Sequence, residues 1–251
     1  MIEVDKSDFH KLKPLFPDDH VYVEVPMIIN DRRGRAWVDD LNNPALGFIY
    51  KGYTGFIEGK GDVEQLIEPI ECIKNNTLEI CCAKDFEDII KKVIDNVTDK
   101  TNVLFSHDGV QRNFTAPDEF EIVKIDSELF GRLDETGEKW LLAMYDDADD
   151  FLYSNGMGFA AITNGRLASA STAFGFDGRR VNIGVATNPD FQRLGLSKAC
   201  TSALIKVLLA RNLEPVWITG PDNIASCTVA EKNGFTETHR LPVFWTEMVK
   251  V

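Results

Sequence analysis

Apolar residues recur along this chain at two periods, and each change of period marks a change of element. In "KDFEDIIKKVIDNV", Phe86, Ile89, Ile90, Val93, Ile94 and Val97 return every three or four positions, which places them on one helix face. "GDVEQLIEPIECIKN" has the same spacing at Val63, Leu66, Ile67 and Ile70, with Pro69 expected to kink or shorten the helix. Strand patterns lie around them. "HVYVEVP", "GRAWVDD" and "TLEICCA" read as short strands, and "ALGFIYKGYTGFIEG", aromatic and punctuated by glycine, reads as a hairpin. The first part of the chain is therefore mixed α/β.

The pattern breaks at "NFTAPDEF", and a domain boundary is expected near Pro117, giving domains 1–117 and 118–251. Beyond it come a strand in "FEIVKID", a short helix in "SELFGRL" and another helix in "WLLAMYDDADDFLYSNG". Then "MGFAAIT", "RLASASTAF" and "RRVNIGVAT" follow, joined by Asn164-Gly165 and Asp177-Gly178. Dipeptides of this kind close tight hairpins, so three antiparallel strands are expected. A helix over 191–211, a strand in "EPVWITG", a helix in "DNIASCTVAEKNG" and a strand in "FTETHRLPVFWTEMVKV" complete the chain.

Composition narrows the function. Hydrophobic residues make up 44% of the 251 positions, enough for a sizeable core. The net charge of -13 argues against nucleic acid or an anionic membrane as partner and suits a cationic or amine-bearing substrate. No apolar run approaches the roughly 18 residues of a membrane span. "MIEVDKSDFH" lacks the basic start and apolar stretch of a secretory leader, so the expected location is cytoplasmic. The five cysteines, Cys72, Cys81, Cys82, Cys200 and Cys227, read as reduced core thiols. Trp217 and Trp245 read as core residues too. The four histidines share no ligand spacing, and no metal site is expected.

"TNPDFQRLGLSKAC" joins the third hairpin strand to the long helix. Its turn, Gln192-Arg193-Leu194-Gly195-Leu196-Ser197, offers amide groups without intrahelical partners, and Gly195 leaves the backbone open. With the helix dipole behind it, such a turn suits an anion or phosphate, although an ordinary strand-to-helix connection has the same composition. Arg179, Arg180, Arg193 and Lys198 make the stretch locally basic, and Arg179-Arg180 are candidates to reach a further phosphate. The mononucleotide loop G-x-x-x-x-G-K-[ST] and the dinucleotide G-x-G-x-x-G are both missing.

Taken with "DNIASCTVAEKNGF", this stretch resembles the GNAT superfamily of acetyl-CoA-dependent N-acetyltransferases, over roughly 118–251. The residues that carry the likeness are Gln192-Arg193-Leu194-Gly195-Leu196-Ser197 in the pyrophosphate loop, then Asn223, Ser226 and Lys232-Asn233-Gly234-Phe235. The first part of the chain resembles, more loosely, the amino-terminal extension of larger bacterial members. The resemblance implies an α+β fold, with a mixed, mostly antiparallel central sheet flanked by helices after an α/β amino-terminal domain. It implies that Val185, Ala186 and Thr187 pair with the pantetheine arm, that amides from Arg193 to Ser197 hold the pyrophosphate, and that Asn223 bonds near the pantetheine or the acetyl end. Acetyl-CoA is then the co-substrate, and an amine of a small molecule or peptide the acceptor.

Two departures stand out. Where the family often has a tyrosine acid this chain has Ala230, and where it often has a glutamate base the strand reads "RVNIGVAT", with Asn182 nearest. The candidate catalytic residues are therefore Asn182, Ser226 and Glu231, with Asp177, Cys227 and Tyr153 as substitutes. The same departures leave open a non-catalytic acyl-CoA-binding module. A hydrolase using Ser197, Asp222 and His239 is a remote rival, because "GLSKA" only approaches the nucleophile elbow G-x-S-x-G.

Overall fold

The structure, a computed structural model, describes residues 1–74, 79–136, 144–153 and 157–246. The chain divides into two compact units: Met1–Asn102 with Arg240–Val251, and Val103–His239. Pro117, where the sequence pattern breaks, falls inside the second unit.

The first unit contains β1 (Ile2–Glu3), α1 (Glu24–Asn30), β2 (Arg35–Val38), β3 (Leu46–Lys51), β4 (Thr54–Gly59), α2 (Ile67–Ile73), β5 (Glu79–Cys81), α3 (Glu87–Val93) and the start of β6 (Val97–His107). Strands β1 to β4 pair antiparallel in sequence, and β5 then lies parallel to β4. Leu46, Phe48, Ile57 and Ile80 of the sheet pack against Leu66, Ile70 and Ile73 around α2 and Phe86, Ile89 and Ile90 around α3. Pro69 acts as expected: a 3-10 turn over Val63–Leu66 precedes α2, and the proline sits in its first turn, where no N–H is needed. The strand expected in "HVYVEVP" is instead the entry to α1. Pro26 lies in that helix's first turn, and its apolar side chains are buried on all sides, so tertiary packing overrides β-branched preference.

The second unit continues from the end of β6 through β7 (Glu121–Lys124), α4 (Ser127–Phe130), α5 (Ala148–Tyr153), β8 (Gly158–Thr163), β9 (Arg166–Phe176), β10 (Arg180–Thr187), α6 (Leu196–Ala210), β11 (Glu214–Thr219), α7 (Ile224–Lys232) and β12 (Phe235–Thr246), whose end belongs to the first unit. Strands β7 to β10 form an antiparallel meander, and β11 lies parallel to β10. Asn164 and Gly165 both have positive φ, 47° and 74°, as a two-residue hairpin turn between twisted strands requires. Helix α6 lays Leu204, Ile205 and Leu208 on Val181, Ile183 and Trp217. The helix expected in "WLLAMYDDADDFLYSNG" is only α5 among the described residues; 140–143 and 154–156 lie outside them.

The two units repeat one order of elements: hairpin, crossover helix, parallel strand, second helix, last strand. The last strands are exchanged. β5 is flanked by Val243–Trp245 of β12, and β11 by Val103–Ser106 of β6. The mostly antiparallel mixed sheet and flanking helices agree with the α+β expectation. The thiols agree only in part: all five are free, but Cys72 is exposed and Cys227 half-buried. Trp217 is buried, whereas Trp245 is partly exposed beneath the Lys100 ammonium. Neither exception could be anticipated from alternation alone, because the outer face of a strand or helix tolerates single apolar residues.

Candidate functional site

Parallel pairing between β10 and β11 is short. It covers Arg180↔Glu214, Val181↔Pro215 and Asn182↔Val216. Beyond it β11 stays with β6 as far as Thr219, while β10 runs on to Thr187 beside β9. The strands therefore separate after Asn182, next to a register shift between β10 and β9 at Asn182/Ile183. From Ile183 to Thr187, about 16 Å of β10 backbone has no strand partner on its β11 side among the described residues. Those N–H and C=O groups can pair with an extended ligand arm. Val185, Ala186 and Thr187 lie on this stretch, and Ser169 holds its end by donating to Ala186 O at 3.0 Å and bonding Thr187 Oγ1 at 2.8 Å.

The stretch ends in the turn before α6. Asn188 anchors it, accepting from Asp190 N at 3.0 Å and donating through Nδ2 to Glu135 O at 3.0 Å. Arg193 and Gly195 then adopt positive φ, 65° and 79°. The sequence places Gly195 within the helix; in the structure it is the residue before the first turn, and α6 begins at Leu196. Among the described residues no side chain caps that end. The leading amides, through Lys198, thus have no helical acceptor by position, and Ala199 N is the first to bond back, to Gly195 O at 3.2 Å. A side chain at Gly195 would meet only Lys198 Cε, at 3.7 Å, so glycine is needed for its backbone angle rather than for space.

Charge at the turn is arranged by pairing. Asp190 is matched by Arg166 at 2.6 Å. Arg179 pairs with Glu214 at 3.2 Å and Arg180 with Asp177 at 2.7 Å. Those last two arginines stand at the opposite end of β10, roughly 25 Å along the strand from the turn, so they do not serve a phosphate there. Arg193 and Lys198 have no ion pair among the described residues. The two unpaired cations are thus those that flank Gly195, in front of a helix whose dipole favours an anion.

The model of the GNAT acetyltransferase family matches residues 13–244. The chain belongs to that family. Solved structures agree in fold. A GCN5-related N-acetyltransferase-like protein from Streptococcus suis superimposes with a TM-score of 0.78 at 22% identity, covering 95% of this chain and 98% of that one. An acetyltransferase of the GNAT family from Colwellia psychrerythraea gives 0.58 at 14% identity over 98% and 100%. A GCN5-related N-acetyltransferase from Kribbella flavida gives 0.61 at 10% identity over 90% and 96%. No curated protein matches the sequence. As a GNAT acetyltransferase the chain is an acyltransferase.

In this GNAT acetyltransferase the two positions at which the resemblance implies an acid and a base carry Ala230 and Asn182. Ala230 is fully buried in the core beside Phe235. Asn182 is buried, the last β10 residue paired with β11, on the strand face turned away from α6 because Val181 and Ile183 pack toward that helix. Ser226 Oγ accepts from Trp217 Nε1 at 3.0 Å, and its backbone N–H donates to Asn223 Oδ1 at 3.1 Å. Asn223 therefore caps α7 with one end of its amide. Glu231 is exposed in the last turn of α7, about 7.5 Å along the axis from Ser226, so these two do not form a compact cluster.

The substitutes fare no better. The Asp177 side chain is buried in the β9–β10 turn, accepting from Arg179 N at 2.9 Å and Arg180 N at 2.6 Å, far from the turn before α6. Cys227 donates to Gly220 O at 3.7 Å. The Tyr153 side chain lies outside the described residues. Burial raises the Cys200 thiol to about 12, which removes it as a nucleophile. Ser197, Asp222 and His239, the hydrolase order, share no hydrogen bond among the described residues; Ser197 is in α6 and His239 on β12. No group of three or more His, Cys, Asp or Glu among the described residues is arranged to hold a metal ion, and no helix there is long and apolar enough to cross a membrane. Sequence reading missed Lys198 as a neighbour of Gly195; the local excess of basic residues was its only signal.

Proposed function

We propose that this protein is an N-acetyltransferase that moves the acetyl group of acetyl-CoA to a primary amine of a small molecule or peptide, by direct attack in a ternary complex. The observation that carries the reading is the separation of β10 from β11 after Asn182, leading into an uncapped, left-handed turn flanked by two unpaired cations. The unpaired edge at Val185, Ala186 and Thr187 takes the pantetheine arm. Amides from Gln192 through Ser197 take the pyrophosphate, and Asn223, at the start of α7, bonds near the pantetheine or the acetyl end. The chemistry belongs to the part of the chain from 118 onward, and the location is cytoplasmic.

The amine nitrogen forms its bond to the acetyl carbon as the carbon–sulfur bond breaks. The nitrogen loses one proton and the departing thiolate gains one. Free amides on the β10 edge stabilise charge on the carbonyl oxygen as it develops. Asn182 and Ser226 are the polar groups offered to the reacting centre, Glu231 a more distant acid; without a residue of tyrosine type at Ala230, water and alignment supply the proton transfers. The negative net charge favours a cationic acceptor, which must shed a proton before attack. One observation supports a second reading. Ala230 is a core residue, so a non-catalytic acyl-CoA-binding module is consistent with it.

Calorimetry with acetyl-CoA on wild type, Gly195→Glu and Gly195→Asn tests the site. Asparagine tolerates positive φ, so Gly195→Asn should fold and bind within a few-fold of wild type. Gly195→Glu adds charge and backbone strain, and its binding should vanish. Equal binding by all three, or none by a folded wild type, rejects the site. Turnover with a panel of amines then separates the two readings: tight binding with no transfer to any amine favours the module.

A further inference from the structure

We propose that Phe114, in the segment between β6 and β7, is a positioning residue: its ring holds the Lys198 ammonium over the first turn of α6, where it meets the phosphates of the coenzyme. The inference rests on the acyl-CoA reading and adds to it a residue from outside the matched motifs.

Three observations lead to it. First, Lys198 occupies the third position of α6, and its Cε is what a Cβ on Gly195 would meet, at 3.7 Å. Second, its Nζ has no carboxylate partner among the described residues. It rests 5.3 Å from the centre of the Phe114 ring. Arg112, Arg132, Arg166, Arg179 and Arg180 each have an acid beside them, whereas the Lys198 ammonium has the ring. A carboxylate would neutralise the lysine. An aromatic face attracts the cation through its quadrupole and leaves the full positive charge for an anion.

Third, the backbone that carries the ring is held in place. Ser202 lies one turn beyond Lys198 on the same face of α6 and is buried. Its hydroxyl donates to Arg112 O at 2.6 Å and accepts from Phe114 N at 3.4 Å and Gln111 Nε2 at 3.3 Å, which uses its one hydrogen and both lone pairs. Gln111 Nε2 also reaches Ser202 O at 3.2 Å. The segment is therefore tied to α6 one turn from the lysine it supports. A lysine stem otherwise has many rotamers, and a fixed ring removes part of that freedom before the ligand arrives.

Calorimetry of coenzyme A at two salt concentrations tests this on wild type, Lys198→Gln, Phe114→Leu, Phe114→Trp and the double variant Lys198→Gln/Phe114→Leu, with thermal melts to check folding. Lys198→Gln should weaken binding about tenfold and flatten its salt dependence. Phe114→Leu, which keeps bulk and loses the quadrupole, should weaken it about three- to fivefold, and Phe114→Trp should restore it. The double variant should bind no worse than Lys198→Gln alone, because the ring acts through the ammonium. Additive losses, or unchanged binding in Phe114→Leu, overturn the positioning role while acyl-CoA binding stands. A folded wild type that binds no coenzyme A overturns both.

Discussion

His107 shows how much one side chain fixes at the end of β6. Its Nδ1 receives Gly109 N–H at 3.0 Å, so that nitrogen carries no proton, and Nε2 must donate to Asn233 O at 2.9 Å. The ring also lies edge-on to Phe235, 5.0 Å between centres. Burial holds its pKa below the usual histidine value, against the pull of the Asn233 carbonyl. In the unfolded chain the ring takes a proton near pH 6.5. The folded ring resists until the pH is lower, so its contribution to stability is intact above about pH 6.5 and is lost as pH falls through the folded value. Denaturant titrations at pH 8 and pH 5 should therefore show wild type losing more stability on acidification than His107→Gln. An equal loss in both would mean the ring titrates as it does in water. The neutral tautomer was invisible in the sequence, because it depends on a backbone carbonyl 126 residues away. Gly195 was legible for the opposite reason: its positive φ is a local demand, and the glycine states it.

Among the elements, the two crossovers invite comparison. β4 leaves β5 after Phe56↔Cys81 and runs on to Gly59, as β10 leaves β11 after Asn182. The turns that follow differ in charge. In the first unit Asp62 accepts from Glu64 N at 3.1 Å, so a carboxylate already occupies the freed amide, with Glu58 and Glu64 close by in sequence. In the second unit no side chain among the described residues does this. Calorimetry should give one coenzyme A per chain, none after Gly195→Glu; a stoichiometry of two would show that the first turn also accepts an anion. Elements with strict periods were readable: the hairpins from Asn-Gly and Asp-Gly, α3 and α6 from their apolar faces. β6 was not, because "TDKT" in its first half is polar and half of it faces water. α1 was misread because its burial on every side erased the helical period. The phosphate turn was readable, but the Phe114–Lys198 contact was not, since a ring 84 residues distant leaves no local pattern.

At the scale of the molecule, the exchange of last strands decides what can be cut. A fragment of residues 118–251 keeps every motif of the family yet lacks Val103–Ser106, the strand that flanks β11. It also lacks the segment tied to Ser202. Its β11 would present a free edge carrying Val216, Trp217 and Ile218, an invitation to aggregate. Expressed alone it should be insoluble or bind coenzyme A far more weakly than the full chain. A soluble, fully binding 118–251 monomer would show that β6 is dispensable. The same exchange governs synthesis. β5 must wait for Val243, about 160 residues later, before its second edge is covered. At roughly 5–20 residues per second the ribosome leaves that edge open for about ten to thirty seconds, long enough for chaperones to compete with the native strand. The amino-terminal unit is thus translated first and completed last.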